Sequence, residues 1–214
     1  MEFLDEDLQR YAEDHTSAES ELLHKVNRQT HLQVLKPRML SGHLQGRLLA
    51  MFSQMIRPKQ VLEVGTYTGY SALCLAEGLQ PGGTLHTIDK NDELENRVRG
   101  YFADAGLTQS IKYYLGNALD IIPSINATFD IVFLDADKIN YPTYYDMVFD
   151  KVAPGGYIIA DNVLWSGKVL EKYRKKLDED TLAVINFNKK IHEDSRVENI
   201  LLPVRDGLLV ARKL

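Results

Sequence analysis

Val61-Leu62-Glu63-Val64-Gly65-Thr66-Tyr67-Thr68-Gly69-Tyr70-Ser71 reads as a short apolar strand, a glycine-bearing loop and the opening of a helix, in that order. The helix continues from Ser71 to Leu79. Pro81-Gly82-Gly83 then turns the chain into a second strand, Thr84 to Asp89, and Asp92 to Ala105 has helical spacing closed by Gly106. Ile111 to Leu115 is a third strand, and Phe129 to Asp135, nearly all apolar, a fourth. Tyr141 to Val152 is helical, Pro154-Gly155-Gly156 turns into the strand Tyr157 to Asp161, and Asp178 to Glu193 is a helix. Two last strands, Val197 to Pro203 and Gly207 to Arg212, flank Val204-Arg205-Asp206-Gly207, whose Asp-Gly is a hairpin signal.

Apolar strands alternating with helices require a parallel sheet covered on both faces. The closing hairpin makes the last strand antiparallel to its neighbour. The expected fold is α/β: a doubly wound, mostly parallel seven-stranded sheet with a C-terminal antiparallel hairpin. Upstream of Arg57-Pro58 there is no strand alternation. Leu4, Leu8 and Tyr11, then Leu22, Leu23 and Val26, recur every three or four residues, as on a helix. Residues 1–57 therefore read as an N-terminal helical cap on an α/β core of residues 58–214. Together they form one domain, which 214 residues suffice to build.

Composition narrows the function classes. Apolar content of 44% and charged content of 26% are those of a soluble globular protein. No apolar run approaches the ~18 residues of a membrane span. The acidic start Met1-Glu2-Phe3-Leu4-Asp5-Glu6-Asp7 is the opposite of a signal or transit peptide, so a cytoplasmic location is expected. The single cysteine, Cys74, excludes an internal disulfide and a multi-cysteine zinc site, and its apolar surroundings make it a buried small hydrophobe. A net charge of -5 argues against nonspecific nucleic-acid affinity. The one dense basic cluster, Lys172 to Lys176, is balanced by Glu171, Asp178, Glu179 and Asp180 and reads as a solvated face. The six histidines are scattered without metal-like pairing.

Four of the first five strands carry an acid at or near their carboxyl ends: Glu63, Asp89, Asp135 and Asp161. A lone acid there is usually a helix cap, but four along one edge mark a site, because open α/β sheets bind ligands outside the carboxyl ends of their strands. Gly65 permits a tight turn and close approach of a ligand to the backbone. Thr66 and Tyr67 stand where the second glycine of a G-x-G-x-x-G pyrophosphate cradle belongs. A sulfonium cofactor with a carboxylate and no phosphate suits this loop better than a dinucleotide does. Asp89 is placed to accept both hydroxyls of a ribose.

The second constellation joins Asp135, in Phe133-Leu134-Asp135-Ala136-Asp137-Lys138, to Asp161-Asn162. Two carboxylates and an amide offer three hard oxygens, suited to Mg²⁺, Ca²⁺ or Mn²⁺ rather than Zn²⁺. Taken singly, Asp135 and Asp161-Asn162 are as readily helix and loop caps. Lys138, three residues past Asp135, reaches the same pocket. A partly desolvated lysine beside a cation has its pKa lowered and serves as a general base, whereas without the metal an exposed surface lysine is the default.

Four segments, 63–71, 133–138, Asp-Asn-Val-Leu-Trp-Ser-Gly at 161–167 and Leu-Pro-Val-Arg-Asp-Gly-Leu at 202–208, resemble cation-dependent O-methyltransferases of the caffeoyl-CoA and catechol type. The resemblance runs from about Met39 to the C-terminus. It implies S-adenosylmethionine as methyl donor and a divalent cation, Mg²⁺ first, held by Asp135, Asp161 and Asn162. It further implies Lys138 as the base, cofactor contacts from Ser41, Glu63, Gly65, Thr66, Ser71, Asp89, Ala118 and Asp137, and an acceptor pocket bordered by Met39 and Trp165. A homodimer whose N-terminal helices help to close the site, and a small aromatic diol as acceptor, are also implied. Ser166 and the segment from Lys168 to Thr181 depart from the plant pattern around the acyl-CoA acceptor. The expected reaction is an in-line methyl transfer to a hydroxyl of a vicinal diol, with no covalent enzyme intermediate. The alternatives are methylation of a hydroxylated uridine in transfer RNA and, from another class, a nicotinamide-dependent oxidoreductase. The loop without its second glycine and the closing hairpin count against the oxidoreductase.

Overall fold

The computed structural model describes residues 5–172 and 177–214. Leu4 and residues 173–176, most of the basic cluster, lie outside them. Along the chain come α1 (Glu6–Asp14), α2 (Glu21–Gln33), α3 (Gly42–Ile56), β1 (Gln60–Val64), α4 (Tyr70–Ala76), β2 (Thr84–Asp89), α5 (Glu95–Asp104), β3 (Ile111–Leu115) and α6 (Ala118–Ser124). There follow β4 (Phe129–Leu134), α7 (Tyr141–Phe149), β5 (Val152–Asp161), α8 (Glu179–Glu193), β6 (Val197–Leu202) and β7 (Leu208–Lys213).

The seven strands form one sheet in the order β3-β2-β1-β4-β5-β7-β6. Pairs among β1 to β5 are parallel, whereas β7 runs antiparallel to both β5 and β6. Doubly wound topology with a terminal antiparallel hairpin is thus as expected. Successive residues of β1 and β4 point to opposite faces, so Val61, Ile131 and Phe133 join one apolar cluster and Leu62, Val132 and Leu134 the other. Helices α2 to α5 cover the first face and α6 to α8 the second.

Two local readings need correction. Pro154-Gly155-Gly156 does not precede the fifth strand but lies inside it. The register against β4 shifts between Phe129 and Ile131, and Gly155 takes φ +78°, so the segment is a bulge rather than a turn. The helix expected to reach Val152 therefore stops at Phe149, because β5 has already begun at Val152. Helix α6 does not show as a periodic stretch because it is short and contains Pro123; its start is capped by the Asn117 side chain, which accepts from Leu119 N at 3.1 Å. Helix α1 forms as its spacing predicts, and its apolar residues face outward, with Leu8 59% and Tyr11 63% exposed.

Candidate active site

The strand order places β1 between β2 and β4, with β5 beyond, so the carboxyl ends of four strands meet along one edge. Chain reversal after β1 needs Gly65, which takes φ +103° and donates its N–H to the Ile88 carbonyl at 2.9 Å. Tyr67 and Gly69 also have positive φ, and Gly69 caps α4. The loop closes over a buried polar cluster. Thr87 donates to the Glu63 carboxylate, its hydroxyl meets that of Thr66, and Ser71 lies beside them. Burial pushes the Glu63 carboxyl up to about 8, against the pull of the Ser71 and Thr87 hydroxyls. Asp89 terminates β2 only partly buried, accepting from Tyr67 N at 2.6 Å and Asn91 N at 2.9 Å.

Helix α2 and the segment that follows it reach this loop directly. Thr30 of α2 donates to the Thr68 hydroxyl at 3.1 Å, and the Tyr67 hydroxyl donates to the carbonyls of Leu35, at 3.1 Å, and Lys36, at 3.3 Å. Ser41, at the start of α3, and Ala118, at the start of α6, are both buried. Asp137 is held instead by α7 and the turn before it: Tyr144 donates to it at 2.7 Å, and Asn140 donates to its other oxygen.

Asp135 follows β4 and Asp161 ends β5, two strands paired in parallel, so the Asp161 charge acts on the Asp135 carboxyl. Asp161 is 2% exposed. Burial, and next the Asp161 charge, push the Asp135 carboxyl above the usual carboxylate range, while Lys138 and Arg205 oppose the rise. Lys138 is not a surface lysine: it is 5% exposed, and Nζ lies 3.4 Å from Asp135 Oδ1 and within hydrogen-bonding distance of the Tyr141 hydroxyl. That hydroxyl lies 3.0 Å from the carbonyls of both Leu134 and Asp161, which fixes it between the two strand ends. Asn162 has φ +58°, and its N–H turns back to Asp161 Oδ1 at 2.7 Å.

Asp135 and Asp161 repel one another, and Lys138 and Arg205 offset that only in part, a repulsion that a bound divalent cation would relieve. Their oxygens and the Asn162 amide form a hard donor set, so the residues fit such a cation. Among the described residues no group of three or more His, Cys, Asp or Glu side chains could hold a metal ion; here the third donor is an amide.

The acceptor side is less enclosed. Met39 sits on a short turn, 52% exposed. The ring of Trp165 lies between two ammonium groups, Lys138 at 6.0 Å and Lys168 at 5.9 Å from its centre, and its Nε1–H is buried without a partner. The hairpin loop braces this segment, since Leu164 N donates to the Asp206 carbonyl at 2.9 Å.

Sequence reading missed Tyr141, Gln45 and Arg205. Tyr141 stands three residues beyond Lys138, a spacing that brings two side chains onto one helical face and was open to notice. Gln45 and Arg205 had no such local signal. Gln45 donates to Asp161 Oδ2 at 2.8 Å, and Arg205 donates to the Gln45 amide oxygen at 3.1 Å and to the Ser41 carbonyl at 2.6 Å.

Comparison with known proteins gives the family and the fold. A model of the O-methyltransferase family matches residues 13–214. Caffeoyl-CoA O-methyltransferase 1 of Arabidopsis thaliana is 34% identical over 180 residues, 79% of this chain and 70% of that protein. Catechol O-methyltransferase domain-containing protein 1 of Mus musculus is 38% identical over 176 residues, 79% of this chain and 66% of its own length. The crystal structure of the O-methyltransferase TomG from Streptomyces achromogenes, in complex with S-adenosylmethionine, superposes with a TM-score of 0.87 at 29% identity. That match covers 97% of this chain and 96% of TomG.

Proposed function

The chain belongs to the S-adenosylmethionine-dependent O-methyltransferase family, and from that premise we propose that it methylates one hydroxyl of a vicinal diol, catechol-like or caffeoyl-type, with the help of a divalent cation. The observation that carries this reading is the cluster at the carboxyl ends of β4 and β5, where buried Asp161 and Lys138 meet a partly exposed Asp135. Asp135, Asp161 and Asn162 would hold the cation, Mg²⁺ before Mn²⁺ or Ca²⁺. A cation in such a site lowers the pKa of a hydroxyl it binds. S-adenosylmethionine supplies a methyl group activated by its sulfonium.

The residues of this chain then divide the work. Asp89 would accept the ribose hydroxyls; Gly65, Thr66 and Ser71 would let the loop approach the cofactor, with Glu63 beneath them. Ser41, Ala118 and Asp137 would complete the cofactor's surroundings. Lys138, shielded from water and steadied by Tyr141, would take the proton that the acceptor hydroxyl releases. Trp165 and Met39 would flank the acceptor ring, and α2 with the segment after it would shut out water.

We read residues 1–214 as one catalytic domain, with 1–57 as its cap, acting in the cytoplasm. No described helix is long and apolar enough to cross a membrane. A homodimer is part of the same reading, supported by exposed Met51 and Met55, one turn apart on α3, and by Ile200 on the edge strand β6.

An acceptor screen with S-adenosylmethionine tests the proposal. Small catechols, catechol-bearing acyl-CoA thioesters and hydroxylated transfer RNA would each be assayed with and without chelator. Methylation of a diol, abolished by chelator and restored by Mg²⁺, is the expected result. Full activity in chelator would remove the cation, and methylation of transfer RNA alone would replace the acceptor.

A further inference from the structure

The shortest path from the N-terminal cap to the carboxylates runs through Gln45, a residue with no part in the chemistry described above. It lies on α3, is 1% exposed, and donates from its amide nitrogen to Asp161 Oδ2 at 2.8 Å across 116 positions of sequence. Its backbone is held in place. A Cβ at the adjacent Gly46 would stand 2.5 Å from the Tyr70 ring, and the Ser53 hydroxyl donates to the Leu75 carbonyl, so α3 is clamped against α4 at two points about two turns apart.

A glutamine amide has two ends, and only one arrangement puts its donor toward Asp161. Arg205 decides which. A guanidinium only donates, so the amide atom facing it must be the oxygen, and the nitrogen is thereby turned toward the carboxylate. Arg205 Nη1 meets the amide oxygen at 3.1 Å and the Ser41 carbonyl at 2.6 Å. The other Asp161 oxygen accepts from Asn162 N at 2.7 Å. Each carboxylate oxygen is thus fixed by one donor, and lone pairs are left over on both.

We infer that Gln45 is a positioning residue for the metal site: oriented by Arg205, it fixes the Asp161 carboxylate, so that cation binding and ordering of the segment from Ser41 to Gln45 are linked. The inference rests on the proposed cation role of Asp161. Groups hydrogen-bonded behind a metal ligand set its orientation, and their loss typically costs about 10–100-fold in metal affinity. Because the tether belongs to the cap, cation binding would draw α3 and the hairpin loop toward β5 as one unit. Ser41, in that unit, would then face the cofactor only when the carboxylates are held.

Calorimetric titration of the full chain with Mn²⁺ provides the test, with S-adenosylhomocysteine binding and thermal melting as controls of fold. Gln45→Met keeps the volume and removes both hydrogen-bonding ends; it should raise the Mn²⁺ Kd by about 10–100-fold. Arg205→Lys keeps the charge but loses the guanidinium that orients the amide, and should weaken Mn²⁺ in the same direction by less. The double variant should be no weaker than Gln45→Met alone, because both act through one amide. In wild type, Mn²⁺ should slow amide hydrogen exchange in residues 42–46, and in Gln45→Met it should not. An unchanged Mn²⁺ Kd in a folded Gln45→Met would overturn the inference while leaving the cation role of Asp161 intact. Should that variant fail to fold, an unchanged Kd in Arg205→Lys would overturn it instead. Wild-type protein that binds no Mn²⁺ would end the cation role itself, and this inference with it.

Discussion

The α-carbon of Gly65 lies so close to the main-chain carbonyl of Asp135 that a Cβ there would stand 2.0 Å from that oxygen. The glycine loop after β1 and the chain after β4 therefore share a wall, with no room for a methyl group between them. Gly65→Ala adds that clash to the strain of φ +103°. Backbone strain and overpacking each cost about 1–3 kcal/mol. A loss of roughly 2–6 kcal/mol in denaturant unfolding is expected, the sum of those two terms. An unchanged midpoint would show that the two strand ends separate freely.

Asp89 already accepts from Tyr67 and Asn91 backbone N–H groups and keeps a partly exposed edge for a ligand. If that edge receives the ribose, Asp89→Ala should weaken S-adenosylhomocysteine binding by the loss of hydrogen bonds to a charged group, about 1.5–3 kcal/mol each. Asp89→Asn should weaken it less. Calorimetry decides, and equal affinity in all three proteins would remove the ribose role. NAD should bind poorly throughout, since the loop lacks the second glycine of a pyrophosphate cradle.

Lys138 is buried against Tyr141 and paired with Asp135, where a proton acceptor is sheltered from water. Lys138→Ala should cut turnover by about 10²–10⁴-fold, the usual contribution of a positioned base. Lys138→Arg should be nearly as damaging, because a guanidinium stays protonated. The deficit should narrow as pH rises, since a hydroxyl that ionises unaided needs no base. Profiles of rate against pH for the three proteins, under conditions where methyl transfer limits turnover, distinguish the roles. Retention of most activity by Lys138→Arg at neutral pH would make the lysine an electrostatic partner only.

Glu63 links the site to stability. Its carboxyl is raised from 4.5 to about 8 in the folded chain, so between those values the unfolded chain has released a proton that the folded one retains. Stability falls wherever the folded state binds more protons as pH increases. This contribution is fully present below pH 4.5 and is lost as pH rises toward 8. Glu63→Gln, neutral at every pH, should lose less stability across that window than wild type does. Denaturant unfolding at pH 5 and pH 8 measures the difference, and parallel behaviour of the two proteins would show that Glu63 is charged in the fold.

The sequence by itself determined the alternation of strands and helices, the turn at Gly65 and the hairpin at Asp206-Gly207. Each is written in the spacing of residues within one element, where a period of two or of 3.6 decides which side chains face the core. It also determined which residue types are available: acids at strand ends and Lys138 beside Asp135. The same local patterning gave no warning of the bulge at Gly155, where the register shift depends on pairing with β4, nor that α1 leaves Leu8 and Tyr11 exposed. Only the tertiary structure decided which oxygens meet. The strand order brings β5 beside β4 and the hairpin beside β5, and the helix α3, clamped on α4, carries Gln45 to Asp161. Contacts between residues 116 and 160 positions apart, such as Gln45 with Asp161 and with Arg205, have no sequence period to reveal them. They exist because burying apolar faces on both sides of the sheet leaves the chain one way to close.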